Sequence, residues 1–265
     1  MTTTPEATAT APPVLELRGV SVHYGGVKAV DRVSMSMAEG KIYGVIGPNG
    51  SGKSTLIGAI TRLVPLTAGE LLLDAVPYSG ARAHRLVALG VSRTFQTVRL
   101  IPNLTVYENV ELGADLRRPG QFARRVPGLH PTREELAAAV DRAITVTGLD
   151  SLRRRLPAEL SYGAQRRVEI ARAIAARPRF LLLDEPTAGM NQIERHEIAD
   201  LMHRLCSAGI SQLLVEHDVQ MVVDTTDHVF AMTAGTLVTE GRPEDVIRDP
   251  RVQEAYLGRR WRHDA

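Results

Sequence analysis

The sequence predicts an α/β fold: a parallel sheet, an antiparallel β subdomain ahead of it, and an α-helical subdomain inserted within it. Three observations carry this expectation. Short apolar strands alternate with amphipathic helices over most of the chain, as in parallel α/β sheets. Residues 14–37 alternate with a period of two, as half-buried antiparallel strands do. From Val98 to Pro178 the helical period dominates and strand signals vanish.

In chain order, Leu15 and Leu17 share one face, and after Gly19 the residues Val20, Val22 and Tyr24 share another. Val33, Met35 and Met37 repeat the alternation after a turn at Tyr24-Gly25-Gly26. Residues 41–46 read as a buried strand, residues 55–63 as a helix ended by Pro65, and residues 70–74 as another strand. Residues 81–89 are helix-like, and Val91 to Gln96 reads as a strand ending in Gln96. Thr105–Glu108 and Thr132–Glu135 are capping boxes opening helices, the second ending near Gly148. A further helix runs from near Gly163 to Ala176. Phe180–Asp184 is a continuous apolar strand, Asn191–Cys206 a helix, Ser211–Val215 a strand and Val219–Thr225 a short helix. His228–Met232 and Thr236–Glu240 form a hairpin turned at Ala234-Gly235.

Composition narrows the class. At 265 residues the chain can bury a large core without staples. Cys206 is the sole cysteine, so no disulfide forms within the chain. A net charge of +2 does not argue for nucleic acid, and no run of about 18 apolar residues spans a bilayer. Residues 1–13 are Thr-, Ala- and Pro-rich without an apolar stretch, so a disordered tail rather than a secretory leader is expected there. A cytoplasmic protein follows, one that works at a membrane only through partners. Arg153-Arg154-Arg155 and the basic tail 259–265 read as solvated surface, with contact to acidic lipid or a partner as the alternative.

The chemistry starts at Gly47-Pro48-Asn49-Gly50-Ser51-Gly52-Lys53-Ser54, which satisfies the phosphate-loop pattern G-x-x-x-x-G-K-[ST]. Glycines let the backbone curl so that its N–H groups face a polyphosphate. Lys53 supplies charge to the outer phosphates, and Ser54 offers a hydroxyl to magnesium. The strand–loop–helix order sets the phosphates on a helix N-terminus, where the dipole favours anions. The fold expectation sharpens to a P-loop NTPase core. Leu181-Leu182-Leu183-Asp184-Glu185 then projects two acids from the sheet's carboxyl edge. With a phosphate loop in the same sheet, Asp184 would hold magnesium and Glu185 would polarise the attacking water. His217 and Gln96 follow strands at the same edge and carry little information singly. Ser161 to Gln165 joins a serine, a glycine and a following helix. It reads either as an ordinary cap with Ser161 as N-cap or as a second anion site, whose nucleotide another subunit would bring.

In this order the segments resemble the ATP-binding subunits of ABC transporters, and the resemblance runs from Val14 to Gly258. It implies an ABC ATPase type of fold, with 14–258 as the ATP-binding domain and its helical subdomain at about 98–177. It implies ATP bound by Gly47, Pro48, Asn49, Gly50, Ser51, Gly52, Lys53, Ser54 and Thr55, with Tyr24 stacked on adenine. Mg²⁺ would rest on Ser54, Gln96 and Asp184. Glu185, His217 and Lys53 would be catalytic, and Gln96 would sit at the hinge to the helical subdomain. Ser161, Gly163 and Gln165 would contact ATP held by the opposite subunit, and Asn191 would cross the dimer interface. Tyr162 and Asn191 depart from the commoner glycine and aspartate of the family.

Finer segments, namely Gly90–Gln96, Asn103–Asn109, Ala188–Asn191 and Ala255–Gly258, resemble the branched-chain amino acid importers. The Arg93–Gln96 form and the long 117–131 loop resemble the larger of their paired ATPase subunits. Urea or amide importers and the lipopolysaccharide-export ATPase are the neighbouring alternatives. A soluble ABC ATPase acting on nucleic acid would carry a coiled-coil insert or two phosphate loops. A GTPase would carry an N-K-x-D-like segment; this chain has none of these. The implied partners are a second ATPase subunit in a homo- or heterodimer, integral-membrane permease subunits and, through them, a periplasmic or extracellular binding protein, with no nucleic acid. The implied location is the inner face of the cell membrane, as a peripheral subunit.

Overall fold

The structure, a computed structural model, describes residues 13–115 and 132–257. The tail before residue 13, the Arg-rich loop to residue 131 and the basic tail from residue 259 fall outside the described residues.

Two sheets divide the work. β1 (Pro13–Tyr24) and β2 (Val27–Ala38) form a long antiparallel pair. β4 (Ala68–Leu73) pairs with the other edge of β1, and β5 (Val76–Pro77) extends the sheet. The ladder slips at Arg18-Gly19, where Gly19 adopts φ 56°. That bulge lets Leu17 and Val20 both face one core, although the alternation by itself sets them on different faces.

The second sheet has the order β10-β9-β3-β8-β7-β6. Its parallel strands are β3 (Ile42–Ile46), β6 (Val91–Arg93), β7 (Phe180–Asp184), β8 (Ser211–Val215) and β9 (His228–Thr233). β10 (Thr236–Gly241) closes the edge as an antiparallel hairpin, with Ala234 and Gly235 both at positive φ. Strands buried on both faces read as unbroken apolar runs. Leu181 and Leu183 of β7 face the helical layer, while Phe180 and Leu182 face the layer built from β1, β2 and β4.

α1 (Lys53–Ile60) follows β3 directly. α2 (Val106–Asp115), α3 (Arg133–Val146) and α4 (Tyr162–Ala175) all lie in sequence between β6 and β7. Both expected capping boxes are formed, by Thr105 with Glu108 and by Thr132 with Glu135. α5 (Gln192–Ser207) and α6 (Val219–Thr225) flank β8. The basic run 153–155 is a surface device: Arg153 pairs with Asp141 at 2.6 Å and Arg155 with Glu159 at 2.8 Å. Its carbonyls also accept from Val106 and Tyr107, which satisfies the first N–H groups of α2.

Two expectations are corrected. Residues 81–89 do not form an α-helix; a 3₁₀ turn at Ala83–Arg85 and successive reverse turns run to Gly90. The segment lacks an N-cap side-chain bond and lies between Gly80 and Gly90, so no helix longer than a turn propagates. The strand expected through Gln96 ends at Arg93, because the groups of Phe95 and Gln96 are captured by side chains of α4 and leave the ladder. After Gly241 the chain adds α7 (Pro243–Arg248) and α8 (Pro250–Leu257), which the sequence reading did not assign.

Candidate active site

Parallel strands bring the separate motifs to one edge. β3, β7 and β8 are neighbours in register, so the chain segments leaving their carboxyl ends converge. From β3 comes the phosphate loop, from β7 Asp184 and Glu185, from β8 Glu216 and His217. The loop after β6 adds Gln96. Asn49–Thr55, Gln96, Glu185 and His217 line one cleft of about 710 Å³ together with Val27, Lys28, Ala29 and Ala234.

The loop's shape demands glycine at two positions. Gly47 has φ 155°, and a Cβ there would lie 2.2 Å from the Met232 carbonyl oxygen. Gly52 has φ 101°, and its Cβ would lie 2.3 Å from the Ala29 carbonyl oxygen. Gly52 is also the N-cap of α1 and supplies no side-chain acceptor, so the first N–H groups of the helix stay available to an anion. Lys53 is 5 % exposed and donates to the carbonyls of Gly47 at 2.7 Å and Pro48 at 3.1 Å. Burial pulls its pKa down, and the charges of Glu185 and Asp184 oppose that shift.

Glu185 is held between two of the other expected residues. The Gln96 amide donates to its Oε2 at 2.8 Å, and His217 Nε2 lies against its Oε1. Its backbone sits at φ 47°, a conformation costing about 1–3 kcal/mol for a non-glycine residue, and its N–H bonds the Val215 carbonyl at 2.8 Å. The carboxylate at this strained turn lines the cleft. Glu216, buried, is not spare: it accepts from the Thr187 N–H at 2.9 Å and hydroxyl at 2.6 Å, fixing the chain after Glu185.

Asp184 is 5 % exposed, and burial raises its pKa while Arg93 lowers it. Arg93 reaches its Oδ2 at 3.4 Å. Its Oδ1 is buried and makes no hydrogen bond among the described residues. A carboxylate oxygen left in that state at the strand end next to the cleft-lining Glu185 suits a hard, oxygen-seeking cation such as Mg²⁺.

The remaining expected residues do not line the cleft. Tyr24 is 53 % exposed at the end of β1, just before the cleft-lining Val27. Ser161 is the N-cap of α4, accepting from the Ala164 N–H at 3.2 Å. Gln165 turns its amide back onto the carbonyls of Pro157 and Leu160. Asn191 caps α5 through a reciprocal box with Glu194, whose carboxylate would lie 3.1 Å from a Cβ on Gly163.

One buried cluster beside the site has no counterpart in the sequence reading. Arg166, fully buried on α4, donates to the Phe95 carbonyl at 2.6 Å, the Gln96 carbonyl at 2.7 Å and Glu169 at 2.7 Å, with the Glu185 carbonyl at 3.5 Å. Glu169 in turn accepts from the Phe95 N–H at 3.3 Å. Burial raises the Glu169 pKa and Arg166 opposes it. One turn further along α4, Arg172 donates to the Arg99 carbonyl at 2.7 Å. This face of α4 thus clamps the backbone that carries Gln96. Arginine and glutamate three apart on a helix read as a surface pair; only their burial marks them.

A phosphate loop and acidic strand at the carboxyl edge of a parallel sheet define a P-loop nucleotide-hydrolysing protein. The chain belongs to the ABC transporter family, whose model matches residues 30–188. A second model, the branched-chain amino acid ATP-binding cassette transporter, matches residues 236–261. Among curated proteins, the chain is 34 % identical over 250 residues to the high-affinity branched-chain amino acid transport ATP-binding protein BraF of Pseudomonas aeruginosa, covering 93 % of this chain and 98 % of that one. It is 35 % identical over 253 residues to LivG of Escherichia coli, with the same coverage. Among solved structures, the ADP conformation of MJ1267, an ATP-binding cassette of an ABC transporter, superposes with a TM-score of 0.82 at 32 % identity, covering 93 % of this chain and 99 % of that one. The dimeric cassette MJ0796 superposes at 0.73 with 27 % identity, over 86 % and 98 % of the two chains.

Proposed function

We propose that the chain is the ATP-hydrolysing subunit of an ABC importer, with branched-chain amino acids as the transported class. One observation carries the hydrolytic part: the Glu185 carboxylate, held by Gln96 and His217 in the lining of the phosphate-loop cleft. BraF and LivG, matched over nearly the whole chain, support the substrate class.

Backbone N–H groups of residues 50–55 cradle the phosphates of ATP, and Lys53 exchanges its loop carbonyls for the outer phosphate oxygens. Asp184, Ser54 and Gln96 would hold Mg²⁺, which would neutralise charge on the phosphates. Glu185 takes the proton of the attacking water, and His217 orients Glu185 from the other side. Tyr24 stacks on the adenine from the end of β1.

The start of α4, with Ser161 exposed, Gly163 buried and Gln165 half-buried, serves the nucleotide of a second ATPase subunit, identical or homologous, in a head-to-tail pair. Asn191 lies at that interface. The helical subdomain, about 98–177, transmits closure to integral-membrane permease subunits, which a periplasmic or extracellular binding protein supplies with substrate. The chain sits peripherally on the inner face of the cell membrane; no helix of the described residues is long and apolar enough to cross it.

The test is Glu185→Gln in cells and in solution. ATP binding is retained, hydrolysis falls by about 10²–10⁴-fold, and labelled leucine uptake stops in cells carrying the variant. Near-normal hydrolysis would remove Glu185 from its role. Normal leucine uptake with silent hydrolysis would move the substrate elsewhere.

A further inference from the structure

We propose that Tyr256 is a positioning residue for the phosphate loop: its phenol oxygen anchors the Gly47 N–H and, through Gly47, the ammonium of Lys53. The contact joins residues 209 positions apart. The Gly47 N–H donates to Tyr256 Oη at 2.6 Å, a short bond for an amide donor.

Gly47 is the residue where β3 ends and the loop turns. Its own carbonyl accepts from Lys53 Nζ at 2.7 Å. The residue is thus gripped on its amino side by Tyr256 and on its carbonyl side by the loop lysine. No side chain can stiffen it, since a Cβ would collide with the Met232 carbonyl. An external acceptor is the remaining way to fix its peptide orientation.

α8 is built to hold such an acceptor still. Asp249, at its start, accepts from the Arg251 N–H at 2.8 Å and pairs with the Arg251 guanidinium at 2.7 Å. Val252 is 5 % exposed and belongs to the helical-layer core. The Tyr256 ring packs against the same core, and burial raises its phenol pKa, so the group stays neutral and the oxygen keeps a fixed role. α8 lies outside the segment matched by the general ABC transporter model and inside the one matched by the branched-chain model.

The proposal rests on reading Gly47–Thr55 as the ATP cradle, and the experiment separates the two. Tyr256→Phe in the full-length chain removes one oxygen and keeps the ring. Titration with a fluorescent ATP analogue and steady-state hydrolysis are measured beside the parent. Losing one hydrogen bond to the loop raises Kd and KM for ATP by about 3- to 10-fold, more than kcat falls. Tyr256→Ala gives at least the same rise together with a lower Tm. A Phe variant that binds ATP like the parent overturns the proposal, even if the Ala variant is less stable, because ring packing then accounts for everything. Failure of the parent chain to bind ATP would overturn the cradle reading and the proposal together, a result distinct from the first.

Discussion

Replacing Arg166 with methionine tests whether α4 holds the reactive residues in place. The guanidinium is fully buried and serves the carbonyls of Phe95 and Gln96 and the carboxylate of Glu169. Methionine fills much of the volume and supplies no donors. Two carbonyls lose their partner, and Glu169, 2 % exposed, loses its nearer cation and keeps only Arg172 at 4.0 Å. Removing one member of a buried pair costs about 3–5 kcal/mol. At about 2–4 °C per kcal/mol for a chain of this size, Tm falls by roughly 10 °C. Loss of the Gln96 anchor lets its amide drift from Glu185, and kcat falls by at least about 10-fold.

The pH dependence gives the cause. Glu169 already titrates above its ordinary 4.5 because burial disfavours its charge, with Arg166 opposing. Without Arg166 it rises further. A folded carboxylate with a raised pKa binds its proton more tightly than the unfolded chain does. Stability is therefore fullest below 4.5 and is lost as pH rises through the raised folded value. The Arg166→Met chain should gain stability relative to the parent as pH drops toward 5. Adding Glu169→Gln should restore much of the loss at neutral pH, since it removes the stranded charge. Arg166→Lys, which keeps a charge and some donors, should lie between. Thermal unfolding across pH and hydrolysis at saturating ATP read all of these. A methionine variant with the parent's Tm and kcat, or one whose deficit ignores both pH and Glu169→Gln, would refute the reasoning.

Three further outcomes are expected. Gly47→Ala drives a Cβ to 2.2 Å from a backbone oxygen at φ 155°, so ATP binding drops by an order of magnitude or more and Tm falls; calorimetric titration with ATP checks this. Ser161→Arg blocks hydrolysis while a single chain still binds ATP, and equal loss of both would sink the cross-subunit reading of α4. Leucine uptake and ATP turnover should fail together in Glu185→Gln, with ATP-stabilised dimers accumulating on size exclusion.

Much of the fold is legible in local pattern because local forces set it. Period-two alternation, capping boxes and the paired positive-φ turn at Ala234-Gly235 are each decided within a few residues. The segment 81–89 misled for the same reason. Its apolar spacing suits a helix, but with no cap and glycine on either side it settles into turns. Gln96 was placed at a strand end because nothing near it in sequence announces that α4 pulls its backbone from the ladder.

The chemistry proposed for the site is legible in the residues from Gly47 to Ser54 and in Asp184 and Glu185. A phosphate loop works through glycine at strained backbone positions and one lysine at a set spacing, and both are visible in a linear string. What holds that chemistry in geometry is not local. Gln96 meets Glu185 across 89 positions, Arg166 meets Gln96 across 70, and Tyr256 meets Gly47 across 209. Each partner is an ordinary residue type in an ordinary context. Folding gives it a role by burying it against one particular backbone group, since a hydrogen bond is specific only once distance and direction are set.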